Sequence, residues 1–173
     1  MNFNLYLVFN FFIYGYLGWV LENVFSYFTK GKMQEDGFLY SPFKPMYAFA
    51  MTVLIYLNST INNYFIILLL CLVVPTSIEL ITGLIMRYYF RKDYWDYSKV
   101  KYNFKGIICL DFSIYWIALS FFTLKVIQPL IIDNLFNKFN FIWVIIIPLQ
   151  GFVLLMDFVM TLKKFNLNKR IIW

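Results

Sequence analysis

Between Phe3 and Phe28 the chain carries a single charged residue, Glu22, and between Tyr64 and Tyr89 only Glu79 and Arg87. Such long apolar runs restrict the fold more than any motif, because about 20 helical residues rising about 1.5 Å each cross a hydrocarbon layer of about 30 Å. Further runs occupy approximately Pro45 to Thr60, Phe104 to Ile127 and Phe139 to Leu162. With 62% hydrophobic and 14% charged residues, the 173-residue chain is too apolar for a water-soluble domain of its size. The expected fold is all-α, one polytopic transmembrane domain over 1-173 with about five spanning helices. No basic flank precedes the first run and no small-residue cleavage site follows it, so Met1 to Phe28 is expected to stay as a span and not leave as a signal peptide.

An odd number of spans puts the termini on opposite sides, and the basic residues indicate which side is which. Lys30, Lys32, Lys44, Arg87, Arg91, Lys92, Lys99, Lys101, Lys105, Lys163, Lys164, Lys169 and Arg170 fall on one side, Lys125 and Lys138 on the other. The expected topology therefore has the N-terminus outside and the C-terminus cytoplasmic, in the cell membrane. On this reading the net charge of +6 is mostly orientation. The basic rim is expected to meet anionic headgroups of the bilayer, and no nucleic-acid partner is implied. Cys71 and Cys109 sit in apolar runs, where a thiol behaves as a small hydrophobe, so neither a disulfide nor a metal pair is expected.

Four acids interrupt the runs: Glu22, Glu79, Asp111 and Asp157. Counting residues to the nearest basic helix end places each roughly 9 to 12 Å inside, in one layer. An acid at that depth costs several kcal/mol unless paired, protonated or facing water, which makes it a functional candidate; structural ion pairs with Arg87 or lysines are the competing explanation. Helical phase separates the four. Gly15, Gly18 and Ser26 share a small-residue face with Glu22, and Thr76, Thr82, Gly83 and Met86 share one with Glu79. Gln150, Asp157, Thr161 and Lys164 form a polar line on the last span. Asp111 lies opposite the Cys109, Ser113 and Ser120 stripe, and is left out of the expected site. The candidate substrate-binding residues are thus Glu22, Glu79, Asp157, Tyr47, Thr82 and Gln150, and three acids would suit a positively charged or hydroxylated substrate.

The segment from Gly37 to Tyr47 is apolar yet carries Pro42 and Pro45, so it is not a regular helix. The helical run after Pro45 is about 20 Å long and needs help from the preceding segment to span. Such interrupted spans often build transporter binding sites, because irregular backbone survives at depth only when buried in protein or lining a wet cavity. The alternative is an interfacial loop held by Phe38, Tyr40 and Phe43. Between spans, Tyr94, Trp95, Tyr97 and Tyr102 suit a membrane interface, with Asp93 and Asp96 in water. Pro129 to Lys138 reads as a short amphipathic stretch on the outer surface.

The blocks GWVLENVFS, GFLYSPFKPMYAF, ELITGLIMR, YWDYS and NFKGIICLDFS resemble, in order and spacing over about residues 8 to 163, the type IV ABC-transporter permeases, the CmpB-like bacterial membrane proteins. That family's loop reads nearer to GFLYGPFCPIYGFG, so Ser41, Lys44 and Ala48 depart from it. The resemblance implies a permease subunit of an ABC-type transport system in the bacterial inner membrane. Under it, Glu22, Glu79, Trp95, Asp96 and Asp157 map to family positions. Trp95, Asp96, Tyr97 and Arg91 are the expected partner or interface loop. No GxxxxGK[ST] phosphate loop occurs, so a separate ATPase subunit is the implied partner. Five helices are few for a complete pathway, which favours a homo-oligomer or a larger partner. The chain has no histidine, which removes histidine acid–base chemistry, a Ser/His arrangement and a His-ligated metal. No catalytic residue, metal or cofactor is expected. A membrane scaffold or regulator without transport activity is the other reading.

Overall fold

The computed structural model describes the backbone of residues 2–34 and 37–171, with side chains as far as Phe165. The side chains of Lys169 and Arg170, counted above in the basic rim, lie outside the described residues. Helix α1 spans Phe3–Lys30, α2 Pro45–Thr60 and α3 Tyr64–Phe90. After a two-stranded hairpin, β1 (Asn103–Phe104) and β2 (Ile108–Cys109), come α4 (Leu110–Phe122), a π-helical segment Thr123–Ile132, α5 (Asp133–Lys138) and α6 (Asn140–Ile171).

The helix starts are chemically marked. The Asn2 carboxamide accepts from the amides of Asn4 and Leu5, and that of Asn63 from Phe65 and Ile66, each satisfying donors that have no partner within the first turn. Pro45 opens α2 at a position where its missing N–H costs nothing. Among the described residues four helices are long and apolar enough to cross a membrane: α1, α3, the rod Leu110–Lys138 and Asn140–Phe165. The outer face of α6 presents Ile145, Leu149, Phe152 and Leu155 to the surroundings. A row of this kind fits hydrocarbon and not water. The chain is an all-α, multi-pass membrane protein.

Helix α2 keeps its expected bounds and, at 16 residues, is too short to cross alone. Both ends of the fourth run shift. The fourth run was expected over Phe104 to Ile127, but its first residues fold as the hairpin, and the helix begins at Leu110. Its far end is not a separate amphipathic stretch, because α4 winds on through Pro129 to Lys138 as one rod. The wider winding brings side chains five residues apart into reach of one another. Residues five apart point about 140° from one another on an α-helix, whereas an i→i+5 spiral stacks them. Gln128 and Asp133 are five apart, and the Gln128 Nε2 donates to Asp133 Oδ1 at 2.8 Å.

Helix α1 packs on α2, α2 on α3 and α3 on α4, with α6 against α1. In lipid the association comes from close packing and hydrogen bonds and not from exclusion of water, so small residues at the contacts count. Gly15 and Gly18 show why: a Cβ on Gly15 would sit 2.0 Å from the Phe43 ring, and one on Gly18 2.4 Å from that of Tyr47. The core runs through Phe9, Phe12, Ala48, Leu54, Ile67 and Cys71.

The two ends of the bundle differ. At one, Glu22 pairs with Lys44, Arg87 Nε meets Asp93 at 2.8 Å, and the Phe38, Phe90 and Phe165 rings cluster. At the other, Lys125 Nζ donates to Asn58 Oδ1 at 2.7 Å and lies over the Tyr64 ring. This second end also holds a buried polar network that sequence reading did not find. The Tyr6 hydroxyl donates to Asp133 Oδ1 at 2.6 Å, Tyr14 donates to Gln128 Oε1, and Gln128 Nε2 reaches Asn10 Oδ1 at 2.9 Å.

Candidate functional site

The site begins with the segment of residues 37–44, which is not helical. Its path is fixed by backbone and ring contacts. The Lys44 amide donates to the Gly15 carbonyl at 2.9 Å, and the Phe43 ring is enclosed by Phe11, Phe12 and Tyr16. Gly15 lies 15 residues before Lys30, which is about 22 Å at about 1.5 Å per residue. The segment therefore dips to the middle of the bundle before α2 starts. Irregular backbone at that depth needs its amides satisfied. Asp157 supplies this, accepting from the amides of Tyr40 at 3.0 Å and Ser41 at 2.7 Å.

Alongside the segment lies a cavity of about 1650 Å³, and fifteen of its 33 lining residues are aromatic. Glu22, Glu79, Tyr47 and Thr82 face it, and so do Trp95, Asp96 and Tyr97. Gln150 and Asp157 do not, although Gly151, Leu154 and Phe158 of α6 do. Asp157 is thus brought to the back of the segment and not to the cavity, because both of its oxygens are engaged by backbone amides. Of the polar line on α6, Thr161 Oγ1 is 3.4 Å from Asp157 Oδ1, and Lys164 Nζ lies 5.1 Å from the Tyr40 ring centre. These three residues clamp the segment.

The two remaining acids differ in partners. Glu22 carries an ion pair with Lys44, whose ammonium also lies 3.5 Å from Gln34 Oε1. Glu79, only 2% exposed, accepts from Trp116 Nε1 at 2.8 Å and from the Tyr97 hydroxyl at 3.1 Å. Arg87, a candidate partner on sequence grounds, turns instead to Asp93 and to the Lys105 carbonyl. Among the described residues no cationic side chain stands within ion-pair distance of Glu79. Trp116 and Lys44 were missed as site residues. The aromatic at position 116 lacked any signal, whereas Lys44 was visible as a lysine inside an apolar segment.

Two residues of the expected partner or interface loop have partners inside the protein. Trp95 and Tyr97 turn into the cavity wall. A half-buried indole N–H or phenol needs an acceptor, and Trp95 Nε1 finds the Ile107 carbonyl at 2.8 Å as Tyr97 finds Glu79. Burial, then the neighbouring Glu79 charge, pushes the Tyr97 phenol well above its ordinary range. The hairpin that holds them turns through Lys105 and Gly106, both at positive φ, closed by the Ile107 amide on the Phe104 carbonyl at 3.0 Å. Asp96 is exposed and accepts from the Ser98 amide at 2.8 Å and from its hydroxyl at 2.9 Å. The Ser98 amide, followed by its hydroxyl, holds the Asp96 carboxyl below the usual range. Arg91 is exposed in the left-handed conformation that ends α3, outside the cavity wall.

Asp111 does not belong to a common layer of acids. The late start of α4 leaves it in the first helical turn, exposed, where a carboxylate is favoured by the helix dipole. Cys109, Ser113 and Ser120 are buried on the opposite side, as the helical phase predicted.

The fold and cavity define a polytopic helical membrane protein with a segment dipping to mid-bundle beside an aromatic, acid-bearing chamber. The sequence profile of the family described as "Putative ABC-transporter type IV" matches residues 9–162, and the chain belongs to that family. Comparisons with curated proteins and with solved structures return no match.

Proposed function

We propose that this chain is the membrane-embedded permease subunit of an ABC-type transport system, with the chamber beside Glu79 as its substrate site. The supporting observation is the mid-bundle segment 37–44, whose descent opens a chamber that a plain helical bundle would fill with side chains. In this reading the segment completes α2 as a fifth crossing. The basic end, with Lys30, Lys44, Arg87 and Lys105, is cytoplasmic, the N-terminus is outside, and the protein resides in the cell membrane. ATP hydrolysis belongs to a separate subunit, docked on the exposed Arg91, Asp93, Lys99 and Lys101 of the loop before β1. The chain itself has no catalytic role, and a second copy or a larger partner completes the pathway.

Affinity purification from native membranes, followed by mass spectrometry, tests the reading. Recovery of a nucleotide-binding protein, together with loss of flux in Glu79→Gln at unchanged stability, is the expected result. Absence of any such partner and no uptake phenotype on deletion would overturn it. One observation favours the alternative of a scaffold or regulator: Asp157 has a purely structural engagement. That alternative requires Glu22→Gln, Glu79→Gln and Asp157→Asn all to lower stability in detergent while flux stays unchanged.

A further inference from the structure

We infer that the chamber receives an amphipathic organic cation, its charged head seated beside Glu79 among the rings of Tyr47, Trp116 and Tyr97 and its apolar body in the rest of the space. The inference rests on the reading of the chamber as a substrate site and adds the chemical class. Three observations carry it. The first is charge. Of the two acids that line the chamber at depth, Glu22 is neutralised by Lys44, whereas Glu79 accepts from two neutral donors. A deeply placed carboxylate without a cation is costly, and a cationic ligand would remove that cost.

The second is ring placement. Trp116 and Tyr97 anchor their polar atoms on opposite oxygens of the Glu79 carboxylate, and the Tyr47 ring stands 5.3 Å from that of Trp116 at 68°. Tyr97 in turn stacks on Phe112 at 4.7 Å. Trp116 and Tyr97 meet the carboxylate edge-on, and with Tyr47 they line the chamber beside it; an aromatic wall next to a carboxylate suits a diffuse organic cation, which gains from the ring quadrupoles and from the charge together. A bare metal ion would need a cluster of acidic ligands, and among the described residues no group of three or more His, Cys, Asp or Glu side chains could hold one. The third is size, since about 1650 Å³ exceeds the roughly 300–1,000 Å³ of pockets for ordinary small ligands.

Tetraphenylphosphonium and tetraphenylborate share one shape and carry opposite charge, which makes them suitable probes. Binding of each to the full-length protein in nanodiscs of zwitterionic phosphatidylcholine is measured by equilibrium dialysis, with empty nanodiscs subtracted. The cation is expected to bind at least tenfold more tightly than the anion, and Glu79→Gln to lose at least tenfold in cation affinity. Equal binding of the two probes, or cation affinity unchanged in a folded Glu79→Gln protein, would overturn the inference and leave a chamber for neutral chains. Should that variant fail to fold, Trp116→Phe, which withdraws one donor from the carboxylate and reduces the ring area, is expected to weaken the cation selectively; an equal loss for both probes would count against the assignment. Selective cation binding without an ATPase partner would sink the transport reading alone. A co-purifying ATPase with no cation preference would sink only the present inference.

Discussion

At the scale of single residues, what matters is who occupies the space beside Gly15 and who answers the amides of the segment. The Phe43 ring fills the place of a Gly15 side chain and is itself 3% exposed, with aromatic neighbours that have little room to yield. Gly15→Ala is expected to lower stability by about 1–3 kcal/mol through overpacking, seen as a reduced thermal midpoint in detergent; an unchanged midpoint would show that Phe43 moves freely. Asp157 acts through charge-assisted bonds to two amides. Asp157→Asn retains one acceptor oxygen and loses the charge, and is expected to cost roughly 2 kcal/mol. Limited proteolysis within residues 37–44 reports it, and resistance equal to the wild type would count against the clamp. Both positions were legible in part. The shared face of Gly15, Gly18 and Glu22 follows from helical phase alone, whereas the partner of Asp157 depended on where a loop 116 residues earlier in the chain settled.

At the scale of elements, the hairpin and the π-helical segment each depend on one hub. Asp96 ties the turn before β1 through Ser98, and its folded-state value lies below the ordinary one. A depressed carboxylate contributes stability that is present above the unfolded value, about pH 4, and is lost as pH falls through the folded value. Hydrogen exchange at the Ser98 amide is therefore expected to show constant protection from pH 7 to about pH 5 and to lose it in more acid solution. In Asp96→Asn the acid-dependent step should disappear. In the π-helical segment, Gln128 joins Tyr14, Asn10 and Asp133. Gln128→Leu leaves the buried Tyr14 hydroxyl and Asn10 oxygen short of partners at about 1–3 kcal/mol each, so a clear drop in thermal midpoint is expected. A variant as stable as the wild type would mean that water replaces the amide.

For the molecule as a whole, the separation of a basic end from a nearly neutral one gives a direct prediction of topology. Single cysteines at Lys99 and Lys138, placed in a chain with Cys71 and Cys109 replaced by alanine, are expected to react with a membrane-impermeant maleimide from opposite sides. Lys138→Cys should label in intact cells and Lys99→Cys only after permeabilisation. Labelling of both from one side would refute a crossing by the rod Leu110–Lys138.

The sequence by itself determined the solvent of this protein, the helical class and the faces of the helices, because long apolar runs and a 3.6-residue period are local properties that no neighbour can override. It also singled out Glu22, Glu79 and the proline-bearing segment, since charge and proline at depth are conspicuous in any apolar run. Tertiary structure alone decided the partners. Lys44 meets Glu22 across α1 and the dipping segment, Trp116 and Tyr97 meet Glu79, and Asp157 meets two backbone amides. Hydrogen bonds between distant elements depend on how those elements are brought together in space, and that placement is a property of the packed bundle and not of any stretch of chain.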